Sequence, residues 1–166
     1  MVPMFLVCFQ YMKKDFHFSY ELLSHWKELP IEDQVLVDRA FEAVETAYAP
    51  YSDFKVGASV RLDSDAIVTG SNQENAAYPS GLCAERVALF ACGANFKDQK
   101  ITHLAVYVES FENPNEIPMP CGGCRQVINQ SEFKQDSAMK ILLVTKNKNI
   151  YVAENSEQLL PFPFRF

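Results

Sequence analysis

Three cysteines constrain this chain more than any other feature. Cys121-Gly122-Gly123-Cys124 sets two thiols three residues apart, and the glycines between them let the backbone turn tightly. Two thiolates at that spacing can grip one tetrahedral zinc ion. The same spacing serves a redox pair, and two buried thiols are a third reading. A redox pair belongs in a thioredoxin-like setting after an early strand, whereas this motif lies late and follows a proline-containing loop. A structural zinc site takes four protein ligands. There is no second CxxC, and His17, His25 and His103 form no ligand pair. Cys83, which opens an apolar run just after a loop, is the best third ligand. Three protein ligands leave one position for water, which is the catalytic arrangement.

Glu85 sharpens this. Glu85 and Arg86 are the only charges between Gly81 and Asn95. An acid at an exposed helix start, favourable against the helix dipole, gives the same pattern without chemistry. Cys83 and Glu85 lie two apart and do not share a face of a regular helix. They converge only where the backbone is not yet helical, which is where a water-activating carboxylate beside a metal belongs.

The rest of the chain reads as alternating helices and strands. Residues 18–29 predict a short helix broken at Pro30. Ile31, Val35, Leu36, Ala40, Phe41, Val44, Ala47 and Tyr48 follow the 3.6-residue period of an amphipathic helix. Strands are expected over Phe54–Leu62 and Ala66–Ser71 with a turn at Asp63-Ser64, then a loop over Asn72–Gly81. Cys83–Ala94 reads as a helix buried on most sides, Ile101–Val108 as a core strand and Cys121–Gln130 as a helix. Met139–Thr145 and Ile150–Ala153 read as the last strands. The order predicts an α/β fold, a three-layer α/β/α sandwich around a mixed five-stranded sheet.

The 166 residues suit one domain, expected over residues 31–166 after an N-terminal extension of residues 1–30. Met1 to Phe9 are mostly apolar but lack a preceding basic region, and Lys13 and Lys14 follow them, the wrong order for a secretory signal. One reading places the true start at Met12, with residues 1–11 a mis-assigned extension. The net charge of −6 argues against a polynucleotide partner, because phosphate backbones call for a basic surface. No apolar run approaches the ~18 residues that cross a bilayer, so no membrane partner is expected. Five cysteines, an odd number in a chain of this length, speak against a disulfide framework and for a reducing cytoplasm.

Four segments together resemble a known family. They are Tyr48 to Ala58 (YAPYSDFKVGA), Asn72 to Tyr78 (NQENAAY), Cys83-Ala84-Glu85-Arg86, and Pro120 to Gln126 (PCGGCRQ). The cysteine and glutamate pattern is that of zinc nucleoside and nucleobase deaminases, with Glu not a ligand. The whole set is similar to the short, all-cysteine, homotetrameric cytidine deaminases over roughly residues 31–164. The resemblance implies zinc-dependent hydrolytic deamination of cytidine and 2′-deoxycytidine in pyrimidine salvage. It implies one Zn²⁺ per subunit on Cys83, Cys121 and Cys124, water or hydroxide as fourth ligand, and Glu85 as the proton shuttle. Asn72 and Glu74 are implied to bind ribose hydroxyls and Phe54 to pack beside the substrate. The Ala84 amide and carbonyls near Tyr78 and Cys121 are implied to face the base or its leaving amine. Phe164 is implied to reach a neighbouring subunit's site in a homotetramer, with packing on its own subunit the other reading.

Arg86 and Arg125 line up with arginines that hydrogen-bond the zinc thiolates in that family. Charge balance supports them independently. Three thiolates and Zn²⁺ sum to −1, which weakens a Lewis acid, and guanidiniums with two helix N-termini offset it. Simple surface charge is their other reading. Three functional alternatives stay open: a deaminase of a related aminonucleoside such as an antibiotic, a non-catalytic zinc module, and a polynucleotide-editing deaminase.

Overall fold

A computed structural model describes residue 13 and residues 15–111 and 113–165; the expectation about residues 1–11 lies outside them. The elements run β1 (Glu21–Leu23), α1 (Ile31–Ala43), β2 (Val56–Leu62), β3 (Ile67–Ser71), α2 (Ala84–Asn95), β4 (Ile101–Val108), α3 (Gly122–Gln135), β5 (Lys140–Val144) and β6 (Ile150–Ala153). The strands form one mixed sheet in the order β1-β6-β5-β4-β2-β3, with β4 and β5 parallel and the other neighbours antiparallel.

Side-chain alternation along the central strands builds two cores. Ala58 and Val60 of β2, Leu104 and Val106 of β4, and Ile141 and Leu143 of β5 face Ala88 and Leu89 of α2 and Ile128 of α3. Ala105 and Tyr107 of β4 and Leu142 and Val144 of β5 face Leu36, Val37 and Ala40 of α1. Each fully buried Leu, Ile or Val contributes about 1.5–3 kcal/mol by leaving water. The expected three-layer sandwich, with helices on both faces of a mixed sheet, is the fold. The approach of α1 is close: a Cβ on Gly57 would lie 2.1 Å from the Ala40 carbonyl oxygen.

Three expectations are corrected. The sheet has six strands, not five. The sixth comes from residues 18–29, which form β1 and a 3-10 turn at Trp26–Glu28 rather than a helix. Three residues with no period of their own become a strand because β6 offers a free edge, pairing Glu21 with Val152 and Leu23 with Ile150. Lys148 fastens the turn. Its ammonium lies 3.6 Å from the Phe41 ring centroid and 4.2 Å from that of Tyr107, and its carbonyl accepts the Trp26 N–H at 2.9 Å. Helix α3 also runs beyond the expected Gln130, to Gln135. Asp136 ends it in the left-handed conformation, where its N–H still reaches the helix carbonyls.

Candidate active site

The starts of α2 and α3 meet on one face of the sheet. Cys83 and Cys121 each sit in extended backbone (ψ 153° and 163°) immediately before their helices, so neither side chain follows the helical period. Cys124 lies in the first turn of α3 and is buried. The Cys83 and Cys121 sulfurs are 3.9 Å apart, those of Cys121 and Cys124 are 3.5 Å apart, and all three lie within 4.8 Å of one another. Tetrahedral zinc with Zn–S bonds of about 2.3 Å asks for sulfurs about 3.8 Å apart, so the donor set fits that ion. Gly70 of β3 seats the first of these helix starts. A Cβ there would lie 2.6 Å from the Ala88 nitrogen and 2.7 Å from the Ala84 oxygen, so glycine lets α2 lie directly on the strand.

The electrostatics set two of the sulfurs apart, one as a thiolate and one as a thiol. A hydrogen bond from the Cys124 thiol, with Arg86 beside it, holds the Cys83 thiol down at about 5. The same bond to Cys83, and then burial, push Cys124 well up. Such a set releases protons as a metal binds. The Arg86 guanidinium reaches the Cys83 sulfur at 3.6 Å, and its Nε is buried without a hydrogen-bond partner among the described residues. Arg125 is placed differently. Its guanidinium donates to the Pro120 carbonyl at 2.7 Å and the Leu159 carbonyl at 3.1 Å, bracing the start of α3 against the C-terminal segment.

Glu85 is 5% exposed, in the first turn of α2. Burial, with the anionic Cys83 adding to it, raises its carboxyl above the ordinary range. Ala84 is wholly buried as the first residue of α2, where a backbone N–H has no acceptor within the helix.

A cavity of about 560 Å³ opens beside the sulfurs, a size that suits a small molecule. Cys83, Cys121, Glu85 and Arg86 line one part of it, and Phe54, Asn72, Glu74 and Tyr78 line another. The Asn72 amide donates to the Phe54 carbonyl at 2.7 Å and accepts the Val56 N–H at 2.8 Å, which leaves one N–H and one lone pair for a further partner. Glu74 accepts the Tyr51 and Ser52 N–H groups at 2.9 and 3.3 Å and the Ser52 hydroxyl. That hydroxyl, then the Tyr51 amide, hold the carboxyl below its ordinary value. Tyr78 is exposed, with its ring edge-on to Tyr51. Phe164 is apart from this cavity within the chain. Its backbone exchanges two 2.9 Å hydrogen bonds with the Gln126 side chain on α3, and the residue is 69% exposed. The sequence reading did not single out Phe111 and Met119, which also line the cavity. Both sit in the loop before Pro120, where no period marks an inward-facing position.

Residues 30–140 match a family described as the cytidine and deoxycytidylate deaminase zinc-binding region. The chain belongs to that family. The match takes in all three cysteines and Glu85. A cytidine deaminase of Halalkalibacterium halodurans is 38% identical over 98 residues, 59% of this chain and 70% of that protein. The crystal structure of cytidine deaminase from Burkholderia pseudomallei superimposes with a TM-score of 0.66 at 34% identity, covering 78% of this chain and 97% of that one. Cytidine deaminase from Mycobacterium tuberculosis gives 0.60 at 30% identity, covering 80% and 96%. The chain is therefore an enzyme of a hydrolytic deaminase family, with a three-cysteine cluster able to hold a metal. Among the described residues, no helix is long and apolar enough to cross a membrane.

Proposed function

We infer that this deaminase converts cytidine and 2′-deoxycytidine, with water, to the uridines and ammonia in pyrimidine salvage. The observation that carries the reading is the buried Glu85 carboxyl beside three clustered sulfurs on the wall of a nucleoside-sized cavity. Cys83, Cys121 and Cys124 would hold one zinc per subunit, which would supply the Lewis-acid activation that makes water a nucleophile near neutral pH. Glu85 takes the proton from that water as it attacks C4 of the base. It delivers that proton to N3, then carries the second from the new C4 hydroxyl to the amine, whose bond to C4 breaks to release ammonia, so it ends as it began. Its raised carboxyl suits a group that must both hold and release a proton.

Asn72 and Glu74 hold the ribose hydroxyls with the donor and acceptor capacity they have left. The Phe54 ring covers the base. The Ala84 amide and the carbonyl groups near Tyr78 and Cys121 face the polar edge of the base. Arg86 offsets the thiolate charge on Cys83 directly, and Arg125 acts through the start of α3. The working enzyme is a cytoplasmic homotetramer in which the exposed Phe164 ring completes a neighbour's cavity. The deaminase domain is residues 31–166, with β1 of the preceding extension added to the edge of its sheet, and the net charge of −6 keeps nucleic acid out of the reading.

Zinc-loaded protein assayed by ultraviolet absorbance on cytidine, 2′-deoxycytidine, cytosine and adenosine tests this. Loss of absorbance on the first two alone is expected. Glu85→Ala should keep its zinc and lose turnover by about 10²–10⁴-fold. Cytidine left unchanged, or Glu85→Ala near the wild-type rate, would overturn the reading.

A further inference from the structure

We propose that Phe111 contacts the substrate as a specificity wall, closing the cavity against the C5–C6 edge of the pyrimidine. The inference rests on the nucleoside reading above. Phe111 stands just past β4, and a double clasp brings it to the site. The Glu109 N–H donates to the Lys55 carbonyl at 3.2 Å. The Ser110 hydroxyl accepts the Lys55 N–H and donates to the Asp53 carbonyl, both at 2.9 Å. These bonds bracket Phe54 and hold the two rings edge-to-face, with centroids 5.3 Å apart and planes at 72°. Both rings line the cavity, beside Val106 and Val108.

Two rings at that angle form a corner rather than a slot. A flat base lying on Phe54 turns one of its edges toward Phe111. The base itself decides which edge. C4 must face Cys83 and Glu85, and N1, opposite C4 in the ring, carries the ribose toward Asn72 and Glu74. Two edges remain. One bears N3 and the C2 carbonyl, and burying those acceptors against an apolar wall would leave them unpaired. The other bears only the C–H groups of C5 and C6, and a positive C–H edge against an aromatic ring is the favoured arrangement. Phe111 therefore takes the C5–C6 edge, and a substituent on C5 meets it.

The test uses the zinc-loaded full chain as wild type, Phe111→Ala, Phe111→Leu and Phe111→Tyr. Steady-state rates on cytidine and 5-methylcytidine are paired with calorimetric binding of uridine. Phe111→Ala should raise KM for cytidine and Kd for uridine about tenfold while kcat stays within about threefold, because an aromatic contact is lost and the reacting groups are not touched. The ratio of kcat/KM for 5-methylcytidine over cytidine should rise about fivefold as the wall is removed. Phe111→Tyr should restore affinity. Phe111→Leu keeps apolar bulk without a ring, and it carries the test if the alanine variant melts early. Kd and KM within twofold of wild type in both the Ala and Leu variants, or an unchanged 5-methyl ratio, would overturn the inference. Uridine binding without cytidine turnover in wild type would overturn the deaminase reading while the Phe111 comparison still reads out on Kd. Wild type that binds no pyrimidine nucleoside overturns both.

Discussion

Asp33 and Glu85 occupy matching places on opposite faces of the sheet. Each lies in the first turn of a helix packed on the strands, and each is almost fully buried, at 2% and 5% exposed. Their surroundings differ. Asp33 lies 2.8 Å from the Arg61 guanidinium, 3.2 Å from the Lys140 ammonium and 3.5 Å from His103. No salt bridge reaches Glu85 among the described residues, and the charge that acts on it most is the thiolate of Cys83, ahead of Arg86. A carboxylate that meets cations from two strands ties its helix to the sheet. A carboxyl buried beside an anion is held where it can change state, at a cost to the fold. The same local pattern, an acid at a helix start, thus makes a staple on one face and, in the proposed mechanism, a proton carrier on the other.

The largest expected contrast comes from neutralising each in turn. Glu85→Gln keeps the shape of the side chain and removes the proton exchange. Turnover should fall by about 10²–10⁴-fold, while the urea midpoint stays level or rises, because a desolvated ionisable group has been relieved. A midpoint that drops steeply would mean that Glu85 is also a structural residue. Asp33→Ala should do the reverse. It leaves Arg61 and Lys140 facing each other without their anion, and removing one partner of a buried ion cluster costs about 3–5 kcal/mol. The kcat of the protein that remains folded should stay within a few-fold of wild type. A cost under about 1 kcal/mol would show a cluster as solvated as a surface pair.

Asp33 also shows where the sequence is legible and where it is not. The face of α1 was legible in part: Leu36, Ala40 and Val44 of the expected period are buried, whereas Ile31, Val35 and Tyr48 are exposed and Val37, outside that period, is buried. The meeting of the three sulfurs was legible as well, because Cys83 and the Cys-x-x-Cys pair both sit where a helix begins. Asp33 reads as an ordinary acid in a first turn. What makes it a staple is Lys140, 107 residues away, and no local pattern encodes that meeting. Strand β1 was hidden for the same reason, since β6 supplies its identity. Arg125 was readable as an arginine near the metal, but its carbonyl partners at Pro120 and Leu159 depend on how the C-terminal segment returns. Phe111 was hidden because loop residues carry no period.

Gly70→Ala sharpens the comparison at an intermediate scale. The new methyl would press on the Ala88 nitrogen and the Ala84 oxygen, which are backbone atoms, so α2 must move rather than a side chain. Overpacking of this kind costs about 1–3 kcal/mol. Because Cys83 and Glu85 ride on that helix start, zinc affinity and kcat should fall along with the urea midpoint, whereas Asp33→Ala moves the midpoint without them. Zinc affinity equal to wild type in a destabilised Gly70→Ala would show that the metal, and not the strand, sets the position of α2.

The smallest effect belongs to His103, and it separates the two faces by pH. Its ring is half buried between Arg61, whose guanidinium meets Nδ1 at 2.8 Å, and Asp33 at 3.5 Å from Nε2, with Lys140 and Glu32 also acting on it. Burial first, then Arg61, lowers its pKa, against the pull of Asp33. A base held neutral in the fold takes up its proton more readily in the unfolded chain. Stability is therefore kept above the unfolded value of about 6.5 and lost as pH falls through it toward the lower folded value. His103→Gln keeps an acceptor for Arg61 and cannot titrate. Urea midpoints measured from about pH 7.5 down to about pH 5.5 should fall less in His103→Gln than in wild type, with any slope they share coming from other groups. Parallel slopes in the two proteins would show that His103 does not carry this dependence. The acid limb of kcat should be the same in both, because the proposed mechanism exchanges its proton at Glu85, on the opposite face of the sheet.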